Sequence, residues 1–315
     1  MVSARLELFA LGIVDVLSAL RDHSAMEWSY ILSTMQRILE PLPIRGKGRL
    51  SQAVFRFLQA NEAQCHPLPN VTVHVRPEVW IERLMWAGAY ERELVDLFKR
   101  VLGPGMVALD VGANIGYFSA LAAGLVGPTG LVHSFEPAPT CFSQLKRNLA
   151  AFSWADASPF AVADESGIAR FHLSEQPNQT GWGSLLADEK GVMQETGVQV
   201  VTLDQWVRQQ GIRRIDFIKM DVEGAEYRAL LGATELLQKC RPLIVAELNS
   251  ACLARDGRTP EDILGLLRST GYETFAFNDG VLAMPVEVCN HTSAIAHFTT
   301  TLPKMELQAP VSVES

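Results

Sequence analysis

The chain has 315 residues, of which 48% are hydrophobic and 20% are charged. These proportions are those of a globular protein with one large core, or with a core domain and an appendage. The formal net charge of −8 argues against a nucleic-acid partner, because phosphate binding requires a basic surface. The five cysteines are widely spaced and include no Cys-x-x-Cys pair, which argues against a zinc site or disulfide framework and favours a cytoplasmic location.

The first 75 residues predict a helical extension that precedes the main domain, residues 76–315. Apolar residues recur at helical spacing over residues 6–20, which is typical of an amphipathic helix. Glu7 and Asp15 interrupt this segment, so we expect neither a signal peptide nor an integral membrane segment there. A homodimer formed through this helix is our leading expectation for the extension, and a substrate cover or a docking surface are the alternatives.

From residue 71 onward the pattern changes to alternating strands and helices. The core strands are predicted at 106–111, 131–136, 158–163, 215–220 and 243–247, and a polar stretch at 174–197 interrupts them. This alternation predicts an α/β fold with a Rossmann-like, doubly wound, mostly parallel sheet. In such a sheet, ligands bind beyond the carboxyl ends of the strands, near the point where the strand order reverses.

The first two core strands end in a pattern that predicts a nucleoside-binding site. Asp110 closes the first strand, Gly112 and Gly116 open the following helix, and Glu136 closes the second strand. A glycine turn lets a ligand approach backbone amides, and an acid after the second strand suits a ribose diol. An ordinary strand-to-helix turn with a solvated aspartate is the alternative.

The spacing of this motif favours S-adenosylmethionine over NAD. A pyrophosphate requires Gly-x-Gly-x-x-Gly, which is absent from this turn, and Asp110 would repel it. S-adenosylmethionine has no phosphate, and its ammonium and sulfonium are attracted by a carboxylate. An NAD-dependent oxidoreductase is therefore the weaker alternative, since a Tyr-x-x-x-Lys catalytic pair is also missing.

All five predicted core strands end in an acid, which places a set of carboxylates at one sheet edge. The set comprises Asp110, Glu136, Asp164, Asp221 and Glu247. Like charges brought together in this way require a cation or hydrogen-bond donors, which the cofactor could supply. For any single acid, a solvated strand end remains the alternative. Lys219 shares a strand face with Asp221 and predicts a Lys–Asp pair of structural or catalytic use.

Taken together, these motifs resemble the FkbM-type methyltransferases. That family consists of class I S-adenosylmethionine-dependent enzymes, which mostly act as O-methyltransferases on sugars, glycolipids and polyketides. The segments that carry the resemblance are 110–116, 135–137, 219–226 and 242–247, with Asn148. The resemblance covers residues 80–277 and implies a small-molecule or glycan acceptor. A catalytically silent member of the fold, kept for assembly, is the alternative from a different class.

The resemblance implies a role for individual residues in holding the cofactor. The positions for its methionine part are Asp110, Gly112, Asn114 and Gly116. Glu136 would hold the ribose hydroxyls, Asp164 would contact adenine, and Asp221 would also border the cofactor. Glu91 would reach the ammonium, with a helix-terminal interaction as the alternative.

Methyl transfer itself is an in-line displacement that depends mainly on alignment. A hydroxyl acceptor gains from a general base, for which Asp221, Glu223 and Glu247 are the candidates. A divalent metal bound by two of them could lower the hydroxyl pKa instead, although the sequence does not indicate a metal. The sequence leaves open the acceptor and the choice between oxygen and nitrogen.

Two further residues have competing interpretations. Trp182 lies between two glycines, where it would form either a lid that stacks on a sugar or a packing anchor. His133 lies inside the second strand, where we expect a packed core residue rather than a catalytic one.

Overall fold

The computed structural model describes Ser51, Gln52, Phe55 and residues 62–174, 183–186 and 193–289. The predictions for the first helix, for its homodimer and for Trp182 lie outside these residues. The described residues form two compact units, which divide in sequence between Asp96 and Leu97. The predicted boundary after residue 75 stays a prediction. Within the described part of the chain, no helix has both the length and the apolar character needed to cross a membrane.

The first unit contains an antiparallel strand pair and a short helix. The strands are β1 (Ala63–Leu68) and β2 (Val71–Val75), and the helix is α1 (Trp80–Trp86). Every second residue of each strand is buried, as expected for a sheet with one face against a core. The carboxylate of Glu82 on α1 is fully buried and accepts hydrogen bonds from the backbone N and the Nε of Arg76, at 2.6 and 2.9 Å. The buried charge is therefore paired.

The second unit holds the remaining strands and most of the helices. The strands are β3 (Val107–Val111), β4 (Leu131–Phe135), β5 (Ala155–Ser158), β6 (Phe160–Val162), β7 (Gly167–Ser174), β8 (Gly183–Ser184), β9 (Met193–Val201), β10 (Phe217–Met220), β11 (Leu243–Glu247), β12 (Tyr272–Phe277) and β13 (Gly280–Pro285). The helices are α2 (Arg92–Val101), which begins in the first unit, α3 (Tyr117–Val126), α4 (Pro139–Leu149), α5 (Leu203–Gln210), α6 (Glu226–Leu231), α7 (Thr234–Cys240), α8 (Ser250–Leu253), α9 (Pro260–Ser269) and α10 (Val286–Cys289), with a 3-10 turn at Ala254–Asp256.

Seven of these strands form one sheet in the order β12-β13-β11-β10-β3-β4-β5. Strands β5, β4, β3, β10 and β11 are parallel, whereas β13 is antiparallel to both of its neighbours. The strand order reverses between β3 and β10, which is where such sheets bind ligands. The predicted doubly wound, mostly parallel α/β fold is confirmed.

The centre of this sheet is apolar and covered on both faces. All four residues of β10 are buried, as are the last four of β3 and of β4. Continuous burial of this kind is typical of parallel strands between two helical layers. Lys219 is the exception in β10, since it places a charged side chain in the sheet with only 4% of its surface exposed.

The third predicted strand, residues 158–163, is divided between two sheets. Strand β5 ends at Ser158 in the large sheet, while β6 pairs with β9 in a four-stranded sheet of order β6-β9-β7-β8. Pro159 lies between them, and proline cannot donate a backbone hydrogen bond to a strand ladder. Asp164 therefore follows a strand of the smaller sheet, and the expectation that it ends a strand of the large sheet is wrong.

The polar stretch predicted at 174–197 also contains regular structure. Strand β8 and the first residues of β9 fall inside it, and both pair with β7. A two-residue strand has no recognisable sequence period, and β9 begins five residues before the strand predicted at Val198.

Candidate active site at the carboxyl edge of the large sheet

The turn between β3 and α3 packs directly against the end of β10. Gly112 has a φ of 81°, and a Cβ added there would lie 1.7 Å from the carbonyl oxygen of Asp221. Gly116 has a φ of 85°, and its added Cβ would lie 2.5 Å from Cδ1 of Leu145. Both positions thus require glycine because of backbone conformation and contacts within the protein. Their predicted role toward the cofactor stays a prediction.

Asparagine side chains fix the rest of this turn. Asn114 has a φ of 51°, a conformation that asparagine tolerates better than most residues, and its Oδ1 accepts from the N of Ile115 at 2.8 Å. Asn148 on α4 is buried, and its Nδ2 donates to the carbonyl of Ile115 at 2.8 Å. The turn is therefore held by its own side chain and by the neighbouring helix.

Glu136 fastens the end of β4 to the same turn. Its Oε2 accepts from the backbone N of Asn114, and its Oε1 accepts from the backbone N of Ala138, both at 2.8 Å. The pKa of the Glu136 carboxyl is raised to about 7, mainly by burial, which outweighs the opposing effect of the two backbone hydrogen bonds. A carboxylate has about four acceptor positions, so about two remain for hydroxyl donors.

Lys219 joins the ends of β3 and β10. Its Nζ lies 3.5 Å from Oδ1 of Asp110 and 3.3 Å from Oδ2 of Asp221, and it donates to the carbonyl of Gly112 at 3.3 Å. The predicted Lys219–Asp221 pair is confirmed, and the structure adds the contact with Asp110. Oδ2 of Asp110 accepts from Oγ of Ser119 at 2.6 Å. Among the described residues, its buried Oδ1 has no hydrogen-bond partner and only the ion pair with Lys219.

The carboxylates of Asp221, Glu223 and Glu247, termed the acid cluster below, come together at the ends of β10 and β11. One oxygen from each lies within 4.8 Å of the others, and all three residues are half-buried. This convergence was predicted from the sequence, and the two strands are parallel and adjacent. Oε2 of Glu247 is buried and has no hydrogen-bond partner within the described part of the chain.

The acid cluster cannot be fully ionised at low cost. Burial, together with the nearby charge of Asp221, raises the pKa of Glu223 to about 7 and that of Glu247 to about 9. At neutral pH, burial therefore favours a proton on the carboxyl group of Glu247, which lies beside the Lys219–Asp221 pair.

Two residues that the sequence analysis did not single out shape the loop carrying these acids. Glu226 is buried, and its carboxylate accepts from the backbone N of Val222 at 2.9 Å and of Gly224 at 3.0 Å. Ser184 on β8 donates from Oγ to the carbonyl of Glu223 at 2.8 Å. An acid two residues after a glycine at a helix start could have indicated Glu226. The sequence contains no indication of the contact from Ser184, because 39 residues separate the partners.

The remaining predicted cofactor residues lie elsewhere. Asp164 is exposed, and its Cα would lie 3.3 Å from a Cβ added at Gly232 after α6. Glu91 belongs to the first unit, where its carbonyl accepts from the N of Val95 at 2.9 Å. The contacts predicted from Asp164 to adenine and from Glu91 to the ammonium stay predictions.

His133 is a core residue, as expected. It is 8% exposed, its Nε2 lies 3.0 Å from Oγ of Ser158, and its ring centroid lies 4.2 Å from that of Trp206. Burial lowers its pKa to about 4, so the ring is neutral and packed at neutral pH.

Comparisons with known proteins identify the family of this chain. The model of the family described as "Methyltransferase FkbM domain" matches residues 110–274 of this chain. The 31-O-demethyl-FK506 methyltransferase FkbM of Streptomyces tacrolimicus is 32% identical, over 58% of this chain and 78% of the relative. The 2-O-methyltransferase NoeI of Sinorhizobium fredii (strain NBRC 101917 / NGR234) is 30% identical, over 48% of this chain and 65% of the relative. Among solved structures, methyltransferase FkbM from Methylobacillus flagellatus KT is 15% identical, with a TM-score of 0.39, over 64% of this chain and 54% of that one.

Proposed function

Because this chain belongs to the FkbM methyltransferase domain family, we propose that it transfers a methyl group from S-adenosylmethionine to a hydroxyl oxygen of a small molecule or glycan. Family membership supports methyl transfer, and the names of the two relatives described above support oxygen as the acceptor atom. The observation that carries the proposal is the arrangement of one sheet edge. Asp110 and Glu136 lie at the ends of the adjacent strands β3 and β4, and the acid cluster lies at the ends of β10 and β11 on the same edge.

The residues present fit a cofactor of this chemistry. Oδ1 of Asp110 is buried without a hydrogen-bond partner among the residues that the structure describes, and Glu136 retains acceptor positions beyond its two backbone bonds. An ammonium and a ribose diol are donors that would satisfy these oxygens. When bound, the cofactor supplies the methyl group already activated by its sulfonium. A pyrophosphate in the same position would face Asp110, Glu136 and the acid cluster, which makes NAD a poor fit.

The protein contributes alignment and a proton acceptor. The loop that carries Asp221 and Glu223 is held in place by Lys219, by Glu226 and by the packing at Gly112. The acceptor would therefore bind to side chains that are already in position. Alignment of this kind contributes about 7–11 kcal/mol to lowering a reaction barrier. Asp221 would accept the hydroxyl proton, and general-base catalysis of this kind typically raises the rate roughly 10²–10⁴-fold. The protonated carboxyl of Glu247 would donate a hydrogen bond to the acceptor.

A divalent cation held by the acid cluster is an alternative way to activate the hydroxyl. Carboxylate oxygens are ligands that magnesium and calcium prefer, and the three groups are close enough to share one ion. A bound cation would lower the pKa of the acceptor hydroxyl and would also relieve the repulsion among the three acids.

Methyl transfer from isotopically labelled S-adenosylmethionine tests this proposal. The full chain should be incubated with neutral glycosides and macrolide polyols, together with matched amino analogues, and the products analysed by mass spectrometry and NMR. We expect a new methyl ether on a hydroxyl oxygen. Transfer to the amines alone would contradict an oxygen acceptor, and the absence of any transfer together with no cofactor binding would contradict the proposal as a whole. Loss of turnover in a chelator, restored by one divalent metal, would assign the acid cluster to a cation.

A further inference from the structure

Strand β8 brings the edge of the four-stranded sheet to the acid cluster. Its two residues pair with β7, with Gly183 opposite Leu173 and Ser184 opposite His172. A Cβ added at Gly183 would lie 2.3 Å from the ring of Phe171, so the backbone of β8 lies against that ring. This close packing holds the strand in one position relative to the sheet.

The hydroxyl of Ser184 connects β8 with the loop after β10. Ser184 is 2% exposed, and its Oγ lies 2.8 Å from the carbonyl oxygen of Glu223 and 3.1 Å from the backbone N of Leu186. The amide of Leu186 can only donate, so the hydroxyl accepts there and directs its own hydrogen toward Glu223. Both hydrogen-bonding functions of the hydroxyl are therefore used.

Glu223 has a backbone conformation that needs such support. Its φ is 54°, and the left-handed region costs a residue with a side chain about 1–2 kcal/mol. Glu226 holds the amides of Val222 and Gly224 on either side, while Ser184 holds the carbonyl of Glu223 itself. The direction of the Glu223 side chain follows from this backbone conformation, so the contact from Ser184 bears on the position of its carboxylate.

We propose that Ser184 is a positioning residue for the acid cluster. Its hydroxyl keeps the backbone of Glu223 in the left-handed conformation that holds the Glu223 carboxylate beside Asp221 and Glu247. The inference rests on the proposed methyl transfer, to which it adds a role for the four-stranded sheet. That sheet supports the acceptor end of the site through β8, whereas the ends of β3 and β4 form the cofactor end.

The first test compares Ser184→Ala with Ser166→Ala. Ser166 is a control because its hydroxyl makes the same two kinds of hydrogen bond away from the acid cluster. Its Oγ donates to Oε1 of Gln205 at 2.6 Å and accepts from the backbone N of Thr202 at 3.2 Å. We expect Ser184→Ala to lower kcat roughly tenfold, the effect of losing about one hydrogen bond, with an unchanged Kd for S-adenosylhomocysteine. Ser166→Ala should leave kcat unchanged. Ser184→Cys leaves no cavity, but its thiol is larger and a weaker donor, so we expect kcat to fall in this variant as well.

A double-mutant cycle with Glu223→Gln separates positioning from general destabilisation. If Ser184 acts through Glu223, Ser184→Ala should cause no further loss of kcat in the Glu223→Gln background. Two outcomes would overturn the inference and leave the proposed function intact. The first is an equal loss of kcat from Ser184→Ala in both backgrounds. The second is a kcat of Ser184→Ala and Ser184→Cys equal to that of Ser166→Ala. A wild-type protein that binds no adenosyl cofactor and transfers no methyl group would overturn both.

Discussion

At the scale of single residues, Lys219 contacts two aspartates that we expect to have different functions. Asp110 and Asp221 contact the same Nζ of Lys219 at similar distances, 3.5 and 3.3 Å. They differ in exposure, since the side chain of Asp110 is 4% exposed and that of Asp221 is 28% exposed. The buried acid faces the predicted cofactor turn, whereas the more exposed acid belongs to the acid cluster. We therefore assign cofactor binding mainly to Asp110 and proton transfer mainly to Asp221.

This assignment predicts different effects for two matched substitutions. Asp110→Asn should weaken binding of S-adenosylhomocysteine by more than about tenfold, because a charge-assisted contact to the ammonium is lost. Asp221→Asn should change that Kd by less than about threefold and lower kcat by about 10²-fold or more, as expected for loss of a general base. Calorimetric titration and steady-state kinetics measure the two effects.

Unfolding curves of both variants serve as the control, since each substitution removes one carboxylate that contacts Lys219. Equal losses of cofactor binding in the two variants would show that the residues have no separate roles.

At the scale of elements, the β3–α3 turn is locked against the loop after β10 at Gly112. A Cβ added at Gly112 would lie 1.7 Å from the carbonyl oxygen of Asp221. This oxygen belongs to the backbone of the loop after β10, which cannot move without displacing the acid cluster. Gly211, at the end of α5, has a comparable φ of 66°, but apart from its chain neighbours no atom of the described residues lies within 4 Å of its added Cβ. The two glycines thus share the backbone constraint and differ only in the close contact.

Alanine substitutions at these two glycines separate strain from steric conflict. Gly211→Ala should lower the free energy of unfolding by about 1–2 kcal/mol, the cost of a left-handed alanine. Gly112→Ala should lower it by more than about 4 kcal/mol, or prevent folding, because the clash adds to that strain. Denaturant unfolding measures both values, and similar losses would mean that the turn after β3 relaxes away from Asp221.

The same elements show how far the sequence could predict this site. The strands β3, β4, β10 and β11 and the acids at their ends follow from apolar runs that stop at a carboxylate. The division at Pro159 was missed because one proline in an apolar run does not say which sheet each half joins. The contribution of Ser184 was not predictable, because it depends on a two-residue strand brought close by the second sheet.

At the scale of the whole molecule, burial of carboxylates makes stability depend on pH. The pKa is raised from 4.5 to about 7 for Glu136, Glu223 and Glu226. For Glu247 it is raised to about 9. Between the unfolded and folded pKa values, the native state binds more protons than the unfolded chain, so stability falls as pH rises. His133, whose pKa is lowered from 6.5 to about 4, acts in the opposite direction between those two values, where stability rises with pH.

We therefore expect the Tm of the cofactor-free protein to fall as pH rises from about 5 to about 8. Glu247→Gln should reduce this slope, because it removes the group with the widest window. Glu287→Gln is the control, since Arg241 lowers the pKa of Glu287 to about 2 and the group is ionised in both states throughout this range. A Tm that stays constant or rises over the range would contradict the burial of these charges.

The central claim, that the carboxyl edge of the large sheet holds an adenosyl cofactor, is tested most directly by calorimetric titration of the full chain. S-adenosylmethionine, S-adenosylhomocysteine, NAD and NADP should be compared under one set of conditions, with Asp110→Asn alongside the wild-type protein. The account predicts micromolar binding of the two adenosyl compounds alone and its loss in the variant. Binding of NAD or NADP alone, or no binding of either adenosyl compound, would contradict it.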